Sequence, residues 1–91
     1  MPTIEWIPSA LNELADLWLK GSPPERQAIS RATQEIDSLL RVDPDNSGES
    51  RSEGRRILLD APLGVIFKHE SLDRKVRVLK VWGYKTRLSE E

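Results

Sequence analysis

Arg51, Arg55 and Arg56 are the residues of this 91-residue chain whose type and spacing most suggest chemistry. Three guanidiniums close together, in a turn-rich loop and at the head of a β-like run, suit the binding of an anion, because each keeps its charge and offers a planar fork of donors. The same permanence makes Arg nearly useless as a base, so any proton transfer would fall to His69, a carboxylate, or a Lys or Tyr of strongly shifted pKa. His69 stands at a strand end beside Glu70, where an isolated His is more often a plain surface residue than a catalyst. Lys80 lies two residues before Trp82; its plain reading is a solvated cation, and its functional reading is a face that stacks on a base or a partner side chain. Asp43, Asp45 and Asn46 resemble part of a calcium loop only superficially, since the closing bidentate Glu is missing. No metal motif, phosphate-binding glycine loop or nucleophile with a paired base is present, so neither a metal nor a cofactor is expected.

The elements that must position these residues divide the chain by charge. Residues 1–50 hold four basic and nine acidic side chains, and residues 51–91 hold ten and six. A nearly neutral protein sorted in this way has a basic, strand-built half and an acidic, helical half, which points to an anionic partner. Ninety-one residues make a single domain, 1–91, with a thin core. Its 37% hydrophobic and 32% charged residues are those of an ordinary globular domain. No apolar run reaches the length of a membrane span, the N-terminus lacks the pattern of an export signal, and the absence of cysteine excludes disulfides and suits a reducing compartment. A cytoplasmic location is expected.

Residues 3–7 alternate as a short edge strand that Pro8 ends. Ser9 is placed to cap a helix whose apolar side is Ala10, Leu11, Leu14, Leu17 and Trp18, and Gly21 stops it. Trp6 and Trp18 read as core residues. Pro23 and Pro24 open a second helix, with Ile29, Ala32, Ile36, Leu39 and Leu40 on one stripe and Pro44 as its stop. Residues 43–54 read as a solvated loop. Three strands follow over 56–60, 65–69 and 76–82, the last with Val76, Val78, Lys80 and Trp82 on one face. The order predicts a two-layer α+β domain: an antiparallel helical hairpin on one face of a curved sheet, with the opposite face uncovered.

In this order of elements, the chain resembles the RelE and ParE type of toxin from bacterial type II toxin–antitoxin modules. The resemblance rests on ALNELADLWL and RQAISRATQEIDSLLRVDP for the hairpin, GESRSEGRRIL for the loop and Arg-led strand, PLGVIF, and VRVLKVWGYKTR, and it covers nearly the whole chain. It implies a sheet in which the first strand lies beside the last, and a cognate antitoxin that wraps over the toxin. It also implies one of two targets, ribosome-bound mRNA for RelE-like members or DNA gyrase for ParE-like ones, which serve plasmid stabilization and growth inhibition. Carried over, a ribonuclease set would use Arg55 and Arg56, with Lys85 or Arg87 after the last strand and Tyr84 in place of a terminal Tyr. The second-strand Arg falls near Gly64 or Val65 and is absent, so the ParE-like branch is favoured. If this were a metal-independent endoribonuclease, Arg55, Arg56, Tyr84 and Lys85 would form a reduced active site. Target binding is expected on Arg51, Arg55, Arg56, Lys80 and Arg87, and antitoxin binding on Val76, Val78 and Trp82. The remaining alternative is a non-toxic binding module that keeps the fold.

Overall fold

A computed structural model describes residues 1–84. Lys85 and Arg87, both expected at the target surface, lie outside the described residues. The chain runs β1 (Thr3–Trp6), α1 (Pro8–Lys20), α2 (Pro23–Val42), β2 (Glu49–Ser50), β3 (Arg55–Asp60), β4 (Leu63–Glu70) and β5 (Lys75–Gly83). The strands form one sheet in the order β1-β5-β4-β3-β2. β1 runs parallel to β5, from Thr3 opposite Lys75 to Trp6 opposite Val78, while the remaining neighbours are antiparallel. This is the predicted α+β arrangement, with the first strand beside the last and a two-residue edge strand, β2, inside what the sequence reads as loop.

Local chemistry sets the helix boundaries. Pro8 occupies the first turn of α1 and Ile7 the cap position, with no side-chain cap bond; the expected cap, Ser9, is already inside the helix. A Pro in that turn forfeits no helix hydrogen bond, which explains the early start. The second helix carries a full capping box: Ser22 Oγ accepts from the Glu25 amide, and Glu25 Oε1 accepts from the Ser22 amide at 2.7 Å. Ala10, Ile29, Ala32, Ile36 and Leu40 bury their faces against Leu58, Leu63, Val65, Phe67, Val76, Val78 and Val81. Trp6 packs at the margin of this core, as expected. Trp18 does not belong to it: the residue is 41% exposed and its ring lies under Arg26, whose guanidinium carbon is 4.4 Å from the ring centroid.

The last strand departs from the simple alternation read in the sequence. Ile66 is paired with Lys80 and Phe67 with Val78, so Leu79 is an extra residue, a β-bulge. The bulge resets the phase of β5. Val76, Val78 and Val81 face the helices at 0%, 0% and 3% exposure, while Lys80 and Trp82 take the other side. Val76 and Val78 are therefore core residues and cannot form the expected antitoxin surface. One helix exploits the irregular edge. Past Trp6 no strand among the described residues borders β5, and Glu13 of α1 accepts a 2.9 Å bond from the Val81 amide.

Candidate functional site

The register identifies the side chains on the sheet face turned away from the helices. Arg55, Lys68 and Arg77 stand opposite one another on β3, β4 and β5, and Glu5 of β1 continues the row beyond Arg77. Two residues along, Ile57, Ile66 and Lys80 form a parallel row, and beyond it come Leu59, Gly64 and Trp82. Alternation along each strand puts all of these on one surface. That surface is a band of cations beside a band of apolar and aromatic side chains.

The ion pairs within the cationic band are unequal. Arg77 Nε donates to Glu70 Oε1 at 2.9 Å, and its Nη1 lies 3.2 Å from Glu5 Oε1, which Lys75 Nζ approaches at 3.7 Å. The Arg77 hydrogen bond holds the Glu70 carboxyl below its ordinary range, and the same bond raises Arg77. Among the described residues, the one acid that approaches Arg55 is exposed Glu53, at 3.8 Å. Lys68 adds its charge to the lowering of Glu70. Arg55 and Lys68 are thus the cations of the row with the most freedom to meet an incoming anion.

The other predicted cations are placed differently. Arg55 and Arg56 are consecutive on a strand, so they project to opposite sides. Arg56 points to the helix side, where it donates to the carbonyls of Ser47 at 2.9 Å and Gly48 at 2.8 Å and pins the loop after α2. Arg51 bonds to Glu49 and to the Ser50 carbonyl. The three guanidiniums singled out in the sequence do not converge on one point. Lys80 is exposed and reaches Glu13 Oε2 at 3.3 Å. The backbone bond from Val81 is the main reason that the Glu13 carboxyl sits below its ordinary range, with Lys80 adding to it against the cost of burial.

Tyr84 follows the far end of β5, where its amide donates to Pro62 O. Arg55 pairs with Lys68, whereas Gly83 pairs with Leu63 at the other end of β4. Arg55 and Tyr84 are therefore separated by about the length of β3, roughly 17 Å at the rise of a strand. Arg55, Arg56 and Tyr84 are therefore not gathered in one cluster, and Lys85, the fourth residue of the expected set, lies outside the described residues. His69 lies on the helix side, with Nδ1 2.8 Å from Asp45 Oδ1, where it ties the loop to β4. Gly64 has a structural reason for its identity: a Cβ there would come within 2.5 Å of the Trp82 indole, so Trp82 lies flat on the Gly64 backbone. The ring takes the space that a longer side chain at position 64 would need.

Lys68 and Arg77 were missed by sequence reasoning. Their signal was present as period-two alternation in VIFKHE and VRV, but only strand pairing shows that they align with Arg55. Among the described residues no group of His, Asp or Glu is gathered as a metal site, and no helix is long and apolar enough to cross a membrane.

No protein-family model matches the sequence, and no curated protein does. Solved structures do. The chromosomal ParDE toxin–antitoxin system from P. aeruginosa contains a chain similar to this one at a TM-score of 0.74 and 19% identity, covering 93% of this chain and 98% of that one. A chain of the RelBE2 toxin–antitoxin complex from Mycobacterium tuberculosis matches at 0.71 and 16%, covering 90% of each. The isolated E. coli RelE toxin matches at 0.65 and 12%, covering 99% of this chain and 93% of that one. At these identities the likeness is one of fold: the chain has the architecture shared by RelE and ParE toxins.

Proposed function

We propose that this chain is the toxin of a type II toxin–antitoxin module, which arrests growth through a macromolecular target and is neutralised by a cognate antitoxin. The observation that carries the reading is a sheet face, covered by no element among the described residues, with Arg55, Lys68 and Arg77 in one row and Trp82 beside them, in a fold shared with toxins solved as toxin–antitoxin complexes. Between the two target classes, a DNA gyrase mode is favoured over mRNA cleavage. Arg56 is occupied by loop carbonyls, position 64 is filled by Trp82, and Tyr84 is a strand length from Arg55. RNA hydrolysis needs a base, a charge stabiliser and a proton donor within reach of one phosphate, and Arg55, Arg56 and Tyr84 are too dispersed to provide them.

Induced expression in a bacterial host, followed by parallel assays of protein synthesis and of cleaved gyrase–DNA complexes, tests this. Growth arrest with accumulating cleaved complexes and continuing translation is expected. Codon-spaced cleavage of ribosome-bound message would overturn the gyrase preference, and normal growth on strong expression would overturn the toxin reading.

A further inference from the structure

The outer side of α1 carries apolar residues that the core does not use. Leu11 and Leu19 are 50% and 68% exposed, Ala15 is exposed, and Trp18, exposed as well, stacks with Arg26. Leu11, Ala15 and Trp18 follow one another at intervals of four and three residues, so they share a stripe with a small residue between two large ones. Beside the stripe, Gln27, Ser30 and Gln34 of α2 line a shallow hollow with Trp18 and Arg26. Charges along the two helices are matched within each helix: Lys20 lies 2.9 Å from Asp16, Arg31 2.8 Å from Glu35 and Arg41 2.7 Å from Asp37. Arg26 also donates to the carbonyls of Trp18 and Leu19. A strongly charged partner gains little from such a surface, and a copy of the same surface is not repelled by it.

We propose that the outer side of the helical hairpin is a self-association surface, on which a second copy of this chain packs α1 against α1 about a two-fold axis beside Ala15. An antiparallel crossing there sets Leu11 of each copy against Trp18 of the other, and Ala15 at the centre lets the helix axes approach to about 8 Å. The pattern of large, small and large side chains reads the same in both directions, as a surface that pairs with itself requires. Gln27, Ser30 and Gln34 supply both donors and acceptors at the rim. The 13 residues of α1 span about 20 Å, so two facing hairpins bury an area near the lower end of that found for specific protein pairs. The dimer is accordingly a weak one that forms at micromolar concentration or above. The hairpin covers one sheet face and the cationic row occupies the other, so pairing through the helices turns the two cationic rows outward, on opposite sides of the dimer. The pairing does not depend on the toxin reading; where both hold, one dimer presents two target surfaces.

Sedimentation velocity of the full chain, from low micromolar to submillimolar concentration, tests this. The parent should shift from monomer to dimer across that range. Ala15→Glu and Ala15→Lys both suit an exposed helix position, and each should weaken association by about tenfold or more, because the axis sets like charges face to face. An equimolar mixture of the two variants should recover the dimer, since unlike charges then meet; a variant that had merely misfolded would not. Leu72→Glu, at the fully exposed turn between β4 and β5, is the control and should associate like the parent. A parent that stays monomeric to the highest concentration, as it would if the stripe served a helix of another protein, overturns the proposal. So does association unchanged by Ala15→Glu, or a mixture that stays monomeric.

Discussion

At the scale of single residues, Gly64 and Glu13 show how a position far from any recognisable motif is constrained by its neighbours. The indole of Trp82 rests where a Cβ at position 64 would lie, so Gly64→Ala should cost about 1–3 kcal/mol through overpacking and shift the Trp82 fluorescence; urea unfolding gives the first and emission spectra the second. Removing the ring relieves the conflict, so the loss should shrink in a Trp82→Ala background, and a double-mutant cycle reads that coupling. Glu13 caps the unpaired Val81 amide, and Glu13→Ala should cost about 1 kcal/mol at neutral pH through that lost bond. Its carboxyl sits below the ordinary value in the folded protein, so its contribution is present above the unfolded-state pKa and disappears as pH falls through the lowered folded value. Parent and variant should therefore converge in urea midpoint on acidification, and a gap that widens toward low pH would contradict the assignment.

Among the elements, β5 carries the most consequence. The bulge at Leu79 divides its apolar residues between a core-facing set and a solvent-facing one. Val78→Asp should prevent folding outright, because it buries an unpaired carboxylate at a position with 0% exposure. Trp82→Ala should fold, with any loss appearing in partner binding; circular dichroism separates the two. In α2 the reciprocal bonds of Ser22 and Glu25 predict a loss of about 1 kcal/mol for Ser22→Ala, measured as a lowered urea midpoint at constant slope.

For the whole molecule, the two sheet faces differ in what they carry. One is sealed by α1 and α2; the other carries the row Arg55, Lys68 and Arg77. Replacing Arg55 and Lys68 by Glu, the two least engaged cations, should abolish growth arrest while leaving the unfolding curve within about 0.5 kcal/mol of the parent, as for surface substitutions generally. The same change in Arg56 should act through stability, because its guanidinium holds the loop carbonyls of Ser47 and Gly48. Reduced toxicity together with a lowered urea midpoint for Arg56→Ala would separate a pinning residue from a target contact.

The architecture was legible in the sequence because it is written in local terms. Helical stripes, proline starts and stops, and alternating strands depend on residues within one or two turns of each other, and they led to the hairpin, the strand order of the C-terminal half and the sheet face turned away from the helices. Register is non-local. Nothing in VRVLKVWG announces the bulge that sends Val76 and Val78 inward and Trp82 outward, because a one-residue slip is decided by the pairing of β5 with β4 and by the fit of Val81 against the helices. For the same reason only tertiary structure could align Lys68 and Arg77 with Arg55, turn Arg56 away from them, and place Tyr84 at the opposite end of the sheet.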